Sequence, residues 1–399
     1  MGILWKEKIE KAVGVYAHIP YCVAKCPYCD FKSVVSRELP EKRYAECLLR
    51  ELSSLIKKEG FDSSPRPLES LYIGGGTPSL FSPASIERLV SFILSAFTPL
   101  KDIEITLEAN PDTVDLEKLK GYKRAGVNRL SIGFQSLIDA ELKALGRTHS
   151  ADKALRSFDA ARSAGFANIG VDLIFGVPAQ SVDSFTESLQ KAVRLGPEHI
   201  SLYNLTLEEG TPFHGSYVKE KNRSTPPLPA EEDELGMYGA AVELLGEAGY
   251  IHYEVSNWAL PGRYSVHNRR YWSGGDYIGL GSSAHSFLSA PGWGRRWWNE
   301  NDPALYMKLV DEGGVAEAGS EILTREEAMT EALILGLRML DRGIDAVSFK
   351  ARFGVYPKEA FGEWASLVKE GLIGCRGEDL LLTPAGVLLS NEVFLRLKG

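Results

Sequence analysis

Residues 13–31 read VGVYAHIPYCVAKCPYCDF, an apolar run followed by a loop with three cysteines. The apolar run predicts a buried β-strand, and the loop would then lie at its carboxyl end. The three cysteines are Cys22, Cys26 and Cys29. Three soft thiolates without a fourth partner at a matching spacing suit an iron–sulfur cluster with one open iron, because a closed structural zinc site normally has four ligands. A zinc site completed by His18 or Asp30 is the alternative.

Beyond this loop, strand-like runs alternate with amphipathic helical stretches. The predicted strands span residues 13–19, 70–73, 102–108, 129–134, 168–175 and 199–205, and the predicted helices span 42–58, 83–96, 116–125, 151–164 and 182–195. A repeat of about 30 residues is typical of βαβ units and predicts a parallel sheet. Without a dinucleotide-binding fingerprint in the alternating section, this pattern favours an α/β fold of the partial (β/α)₆ barrel type.

Polar and glycine residues gather at the predicted strand ends. They are Gly75, Gly76, Thr77, Glu108, Gln135 and Asp172. A parallel barrel brings the carboxyl ends of its strands to one face, where active sites form. The sequence therefore predicts one site that combines these residues with the cysteine loop.

The rest of the chain divides into two further segments. We expect the barrel to occupy residues 1–217, a connecting insert rich in Trp and Tyr to occupy 218–319, and a small helical, winged-helix-like domain to occupy 320–399. The stretch 279–284, GLGSSA, fits a dinucleotide-binding pattern, but it lies outside the alternating section and is interpreted as a loop at the rim of the sheet.

The composition of the chain indicates which classes of partner and which cellular compartment to expect. The formal net charge of −8 and the lack of a basic block argue against a nucleic-acid partner. Five cysteines, three of them in one loop, form a poor disulfide framework and fit a reducing compartment. Apolar runs are shorter than the roughly 20 residues that a membrane span needs. We expect a cytoplasmic protein, and peripheral membrane contact stays open.

The cysteine loop and its surroundings resemble the radical S-adenosylmethionine (SAM) superfamily. Within it, the chain is similar to the group of oxygen-independent coproporphyrinogen III dehydrogenase and its haem-chaperone relatives, over nearly its whole length. The matching motifs lie at residues 16–31, 74–78, 108–111, 133–136 and 172–178 and in the C-terminal segment.

The resemblance implies a [4Fe–4S] cluster held by the three cysteines, with a reductant as partner, and SAM bound at the open iron. The implied SAM contacts are Tyr16, Gly75, Gly76, Thr77, Glu108, Gln135, Arg147 and Asp172. Arg147 suits the SAM carboxylate, Glu108 its ammonium or sulfonium, and Gln135 and Asp172 the ribose hydroxyls.

Two features separate the branches of this group. Phe31 stands where the dehydrogenase branch has a further cysteine, and residues 267–272, HNRRYW, match a motif proposed for haem contact in the chaperone branch. The resemblance thus implies a protein that binds haem, with His267 as a contact, and passes it to an acceptor protein. A packed, hydrogen-bonded His267 is the other interpretation, and His285 is the weaker haem candidate. The alternative function is oxidative decarboxylation of a porphyrinogen, and no catalytic residue is assigned.

Overall fold

Strand β1, Val13–Ile19, lies inside a twelve-stranded sheet. The computed structural model describes residues 12–36, 38–219 and 225–397. The beginning of the predicted barrel segment, before Ala12, lies outside the described residues. The side chains of β1 are almost all buried, as expected for a strand covered on both faces.

Six strands of the first half run parallel in the order β1-β4-β5-β6-β7-β8. After β1, the strands in chain order are β2 Tyr21–Cys22, β3 Val34–Val35, β4 Pro67–Gly75, β5 Thr98–Ala109, β6 Arg129–Gln135, β7 Ile169–Phe175 and β8 His199–Asn204. The short β2, which contains Cys22, pairs in parallel with β3, and Cys26 and Cys29 lie in the loop between them.

Helices connect these parallel strands and cover the sheet. They are α1 Glu41–Lys58, α2 Pro83–Ala96, α3 Leu116–Arg124, α4 Asp139–Ala144, α5 Ala151–Ser163 and α6 Val182–Arg194. Side-chain caps set several of their first residues: Ser82 caps α2, Asp115 caps α3 and Ser150 caps α5. Each helix buries an apolar stripe against the strands, so the main core lies between the two layers.

The sheet continues beyond the six strands on both sides. The next elements are α7 Pro212–His214 with a π-turn at Gly215–Lys219, α8 Glu231–Glu247, β9 Ile251–Glu254, β10 Asn257–Ala259, α9 Val266–Trp272, β11 Tyr277–Leu280, β12 His285–Leu288, β13 Arg295–Asn299, α10 Pro303–Gly313 and β14 Glu317–Ile322. Strand β11 joins β1 in parallel, and β12, β13 and β14 follow antiparallel. The predicted rim loop at 279–284 therefore begins inside β11, which the sequence did not reveal as a strand.

A second hydrophobic core lies in the C-terminal segment, around Leu333, Leu337 and Phe349. Its elements are α11 Arg325–Arg338, α12 Ala346–Phe353, α13 Pro357–Ala360, α14 Trp364–Lys369, β15 Ile373–Arg376, β16 Asp379–Leu382, α15 Pro384–Leu388 and α16 Ser390–Leu397. Phe287 of β12 belongs to the same core and ties it to the sheet. The predicted fold class, a partial parallel barrel with a small helical C-terminal unit, is confirmed. No described helix combines the length and apolar character that crossing a membrane requires.

Candidate cofactor and ligand site

The cysteine loop leaves β1 at the carboxyl end of the parallel strands, as predicted. Two neighbouring side chains donate weak hydrogen bonds to its thiols: Thr77 Oγ1 to Cys22 Sγ at 3.5 Å, and Arg147 Nη1 to Cys26 Sγ at 3.5 Å. The Cys29 N–H donates to the Cys26 carbonyl oxygen at 3.1 Å, which turns the chain back on itself. Hydrogen bonds to the cysteine sulfurs are one means by which a protein sets the reduction potential of an iron–sulfur cluster.

The backbone approaches these thiols so closely that one position accepts only glycine. A Cβ atom at Gly76 would lie 2.9 Å from Cys22 Sγ and 2.9 Å from the Tyr21 carbonyl oxygen. Within the described parts of the chain, no three His, Cys, Asp or Glu side chains are grouped as a single metal ion would require. The donor set itself, three thiols beside a guanidinium, fits an anionic iron–sulfur cluster.

A cavity of about 700 Å³, which we call the cofactor cavity, opens beside the cysteines. Its wall includes all three cysteines and seven of the eight predicted SAM contacts: Gly75, Gly76, Thr77, Glu108, Gln135, Arg147 and Asp172. The seven come from β4 and the turn after it, β5, β6, β7 and the loop after α4, and the parallel sheet brings the strand ends among them together. The predicted convergence of strand ends is thus observed, although the role of each residue in binding SAM stays a prediction.

Two carboxyl groups face this cavity from strands β5 and β7, which flank β6. Glu108 accepts hydrogen bonds from the Tyr72 hydroxyl at 2.7 Å and from the Gly75 N–H at 3.1 Å. Burial raises the pKa of Glu108 to about 7, against the lowering effect of the Tyr72 hydrogen bond. Asp172 accepts from the Ser131 hydroxyl at 3.1 Å, and burial raises its pKa as well. A bound cation would stabilise the ionised form of both carboxyl groups.

Arg147 has N–H groups that are not all used in hydrogen bonds to described residues. Its Nη2 donates to the Gly133 carbonyl oxygen at 3.3 Å, while its buried Nε has no hydrogen-bond partner among the described residues. Burial opposes its charge, but Tyr28 and Cys26 more than offset this and raise the pKa of the guanidinium. Gln135 stands opposite with a φ of 65°, a left-handed conformation that a non-glycine residue adopts at some energetic cost. An orphaned donor and a strained residue in one cavity fit a ligand with a carboxylate and hydroxyls.

The eighth predicted SAM contact, Tyr16, lines a different cavity of about 490 Å³. This aromatic cavity lies between strands β11–β13 and helix α11. Its wall includes Tyr271, Trp272, Tyr277, Phe287, Arg296, Ala332, Leu335 and Arg352. Gly75, Glu108 and Phe31 line both cavities, so the two spaces adjoin.

His267 lies behind the wall of the aromatic cavity and is 1% exposed. Its Nδ1 shares a hydrogen bond with the Ser70 hydroxyl at 2.9 Å, and its Nε2 shares one with the Tyr271 hydroxyl at 2.8 Å. Burial, aided by Arg270 and Arg129, lowers its pKa to about 3. The structure shows a packed, hydrogen-bonded histidine that holds Tyr271 in place, and a haem contact by His267 stays a prediction.

Comparison with known proteins places this arrangement in a family. Residues 16–192 match the radical SAM superfamily, and residues 323–389 match the HemN C-terminal domain. The chain is 36% identical over 386 residues to the Bacillus subtilis protein named Heme chaperone HemW, which covers 96% of this chain and 98% of that protein. The Escherichia coli protein of the same name is 39% identical over 70% of this chain and 71% of its own length.

The chain belongs to the HemW family of radical SAM proteins.

Relatives of this family extend beyond bacteria, and one solved structure shares the fold. A Mus musculus protein named Radical S-adenosyl methionine domain-containing protein 1, mitochondrial, is 38% identical over 83% of this chain and 74% of its own length. The solved coproporphyrinogen III oxidase (HemN) from Escherichia coli has a TM-score of 0.82 and 24% identity, covering 97% of this chain and 90% of that one, which shows a shared fold. Membership of the radical SAM superfamily implies a [4Fe–4S] cluster and SAM, and the cofactor cavity has residues that fit both.

Several residues of this radical SAM site were missed from sequence. Tyr72 holds Glu108, while Ser131 and Tyr203 line the cofactor cavity. The two-residue alternation of strands could have found two of them. Ser131 pairs in register with Glu108, and Tyr72 lies two residues before Gly74, so its side chain points to the same face of the strand. Tyr203 gave no such signal, since the exposed end of β8 reads as an ordinary strand terminus.

Proposed function

We propose that the protein is a haem chaperone: it binds haem and transfers it to an acceptor protein, on a scaffold that also holds a [4Fe–4S] cluster and SAM. One observation carries this proposal, namely that a large aromatic cavity shares walls with the cofactor cavity. A largely apolar, aromatic cavity of about 490 Å³ is suited to a flat macrocycle. The packing of His267 behind the wall does not account for an open cavity of this size.

The names of the relatives support the same function. The bacterial proteins that align over nearly all of this chain are named haem chaperones. The similarity includes the segment that supplies Tyr271 and Trp272 to the aromatic cavity, since the alignment leaves out only a few per cent of the chain. Cytoplasmic location, and an acceptor protein and a reductant as partners, belong to this proposal.

In the cofactor cavity, this chain would use its residues as follows. Cys22, Cys26 and Cys29 hold the cluster, and a reduced cluster supplies an electron for SAM chemistry. Arg147 binds the SAM carboxylate through its free Nε, and Glu108 binds the ammonium. Gly75, Gly76 and Thr77 let the amino-acid part approach the backbone, and Gln135 and Asp172 bind the ribose. Tyr16, the eighth SAM contact of this proposal, lies in the adjoining cavity, where its hydroxyl shares a hydrogen bond with His18 Nδ1 at 2.9 Å.

The test is an anaerobic titration of the cluster-reconstituted protein with haem, followed by difference absorbance in the Soret region. Saturation at about one haem per chain, followed by transfer of that haem to an apo-haemoprotein, is the expected result. The same preparation is incubated with coproporphyrinogen III, SAM and a reductant. Vinyl products without saturable haem binding would overturn the proposal in favour of porphyrinogen decarboxylation.

A further inference from the structure

Three histidines lie at or directly behind the aromatic cavity, and they differ in what their ring nitrogens contact. His18 shares one hydrogen bond with the Tyr16 hydroxyl at 2.9 Å and another with the Lys32 carbonyl oxygen at 3.1 Å. His267 also has both nitrogens engaged. His285 lines the cavity and makes no side-chain hydrogen bond with any residue that the structure describes. Only His285 offers a free imidazole there.

Strand β12 directs His285 toward this space. Side chains two residues apart share one face of a strand, so His285 and Phe287 point the same way, and both line the cavity. The His285 ring lies beside the Trp298 ring, with centroids 5.9 Å apart and planes 29° from parallel. Burial, together with Arg296, lowers the pKa of His285. A neutral imidazole keeps the lone pair with which histidine binds a metal ion.

The opposite wall is one face of a helix. Ala328, Ala332 and Leu335 of α11 follow at helical spacing and line the cavity. Their small and aliphatic side chains face the aromatic rings of the sheet across the gap. Glu331 of the same helix also lines the cavity and pairs with Arg296 of β13 at 2.7 Å. The cavity is therefore a slot between a helix and a sheet that this ion pair joins at one point.

The slot also contains polar groups that lack partners. The buried Trp272 Nε1 and Ser283 Oγ have no hydrogen-bond partner among the described residues, and Ser283 has a φ of 60°. Arg352 donates to the Trp293 carbonyl oxygen at 3.0 Å but forms no ion pair with a described residue. Burial lowers the pKa of Arg352, and the charges of Asp276 and Glu331 offset this only in part. Unpartnered polar groups and a guanidinium without an ion pair, in the wall of a mostly apolar cavity, match a ligand with an apolar body and an acidic edge.

We propose that His285 is the axial ligand of haem bound in the aromatic cavity, with Arg352 as the partner of a haem propionate. This inference rests on the proposed function and assigns the site that the cargo occupies. Histidine is a common axial ligand of haem iron, and guanidinium matches carboxylate geometry. In this arrangement His267 is a positioning residue, which acts by holding the Tyr271 ring in the wall.

The test uses the full-length, cluster-reconstituted protein and ferric haem. Wild type, His285→Ala, His285→Met and the control His214→Ala are titrated anaerobically, and resonance Raman spectra report the axial ligand. We expect His285→Ala to lose the histidine signature and to raise the Kd for haem by about tenfold or more, as truncation of an anchoring residue does. His285→Met should bind haem with a changed ligand signature, which shows that the slot is intact. His214, which lies on α7 outside the cavity, should be neutral.

Arg352 has its own matched control. Arg352→Gln should weaken binding of haem but leave binding of haem dimethyl ester unchanged, because the ester has no carboxylate to lose. If wild type binds haem and His285→Ala retains both its affinity and its histidine signature, the inference is wrong while the chaperone function stands. If wild type binds no haem, the proposed function itself fails.

Discussion

Glu108 is the side chain whose charge is most sensitive to its surroundings in the cofactor cavity. Its carboxylate is held between a tyrosine hydroxyl and a backbone N–H, and burial brings its pKa to about 7. Near neutral pH it is therefore partly protonated. A cationic ligand would favour the ionised form, so binding and proton release are linked.

This linkage predicts the pH dependence of SAM binding. SAM affinity should rise about fivefold between pH 6 and pH 7, because the ionised fraction of a group with a pKa of about 7 grows by that factor while an α-amino group stays charged. Isothermal titration of the reconstituted protein with SAM measures it. Glu108→Gln should bind more weakly and show a flat profile over this range. A variant that keeps the wild-type rise would show that another group carries the effect.

Helix α11 belongs to the C-terminal segment and also lines the aromatic cavity. A reciprocal pair of hydrogen bonds between Thr324 and Glu327 caps its first turn. Thr324 Oγ1 accepts from the Glu327 N–H at 3.2 Å, and Glu327 Oε2 accepts from the Thr324 N–H at 2.8 Å. This capping box satisfies two backbone donors that the helix leaves unpaired. The position of the cavity wall depends on where this helix begins.

Removing the cap should destabilise the protein measurably. We expect Thr324→Ala to lower the free energy of unfolding by about 1 kcal/mol, the usual cost of replacing an N-cap threonine by alanine. Urea denaturation followed by circular dichroism measures this. Thr330→Ala, within the same helix, is the matched control and should cost less. Equal losses in both variants would contradict the capping role.

Glu51 connects the parallel strands to the antiparallel extension of the sheet. This buried carboxyl of α1 accepts hydrogen bonds from the Tyr306 hydroxyl at 2.6 Å and the Gly281 N–H at 2.9 Å, and from the Asn299 side-chain amide. Burial raises its pKa to about 7 despite these donors. One ionisable group thus lies where α1, α10, β13 and the end of β11 meet.

The raised pKa makes the stability of the whole molecule depend on pH. The folded state holds the Glu51 proton more tightly than the unfolded chain, so its contribution to stability is present at low pH and is lost as the pH rises from about 4.5 to 7. The loss is on the order of 3 kcal/mol. Urea denaturation across this range should show the unfolding free energy of wild type falling as the pH rises relative to that of Glu51→Gln, which carries no titrating group at this position. A constant difference would show that Glu51 does not titrate there.

Most strands and helices of the alternating half could be read from sequence, although helix α4 was missed and β4 and β5 are longer than predicted. Helix α2 and strand β1 occupy the predicted positions, because proline, serine caps and apolar periodicity mark their ends locally. The cofactor cavity could be predicted for the same reason: parallel strands place their carboxyl ends together whatever lies between them.

The aromatic half of the molecule could not be read in this way. Strand β11 pairs with β1 across more than 250 residues of chain, and its glycines resemble a turn when read locally. The contrast between His267 and His285 depends on whether Ser70 and Tyr271 reach the ring nitrogens, which is a tertiary contact. Motif matching therefore pointed to the histidine whose nitrogens are both engaged.

The shared wall of the two cavities has a consequence for the cell. If ligands in the two cavities both contact Gly75, Glu108 and Phe31, and one ligand changes the affinity for the other, then linkage requires the second to change the affinity for the first by the same factor. With SAM in one cavity and haem in the other, such coupling would make the affinity for haem depend on the concentration of SAM.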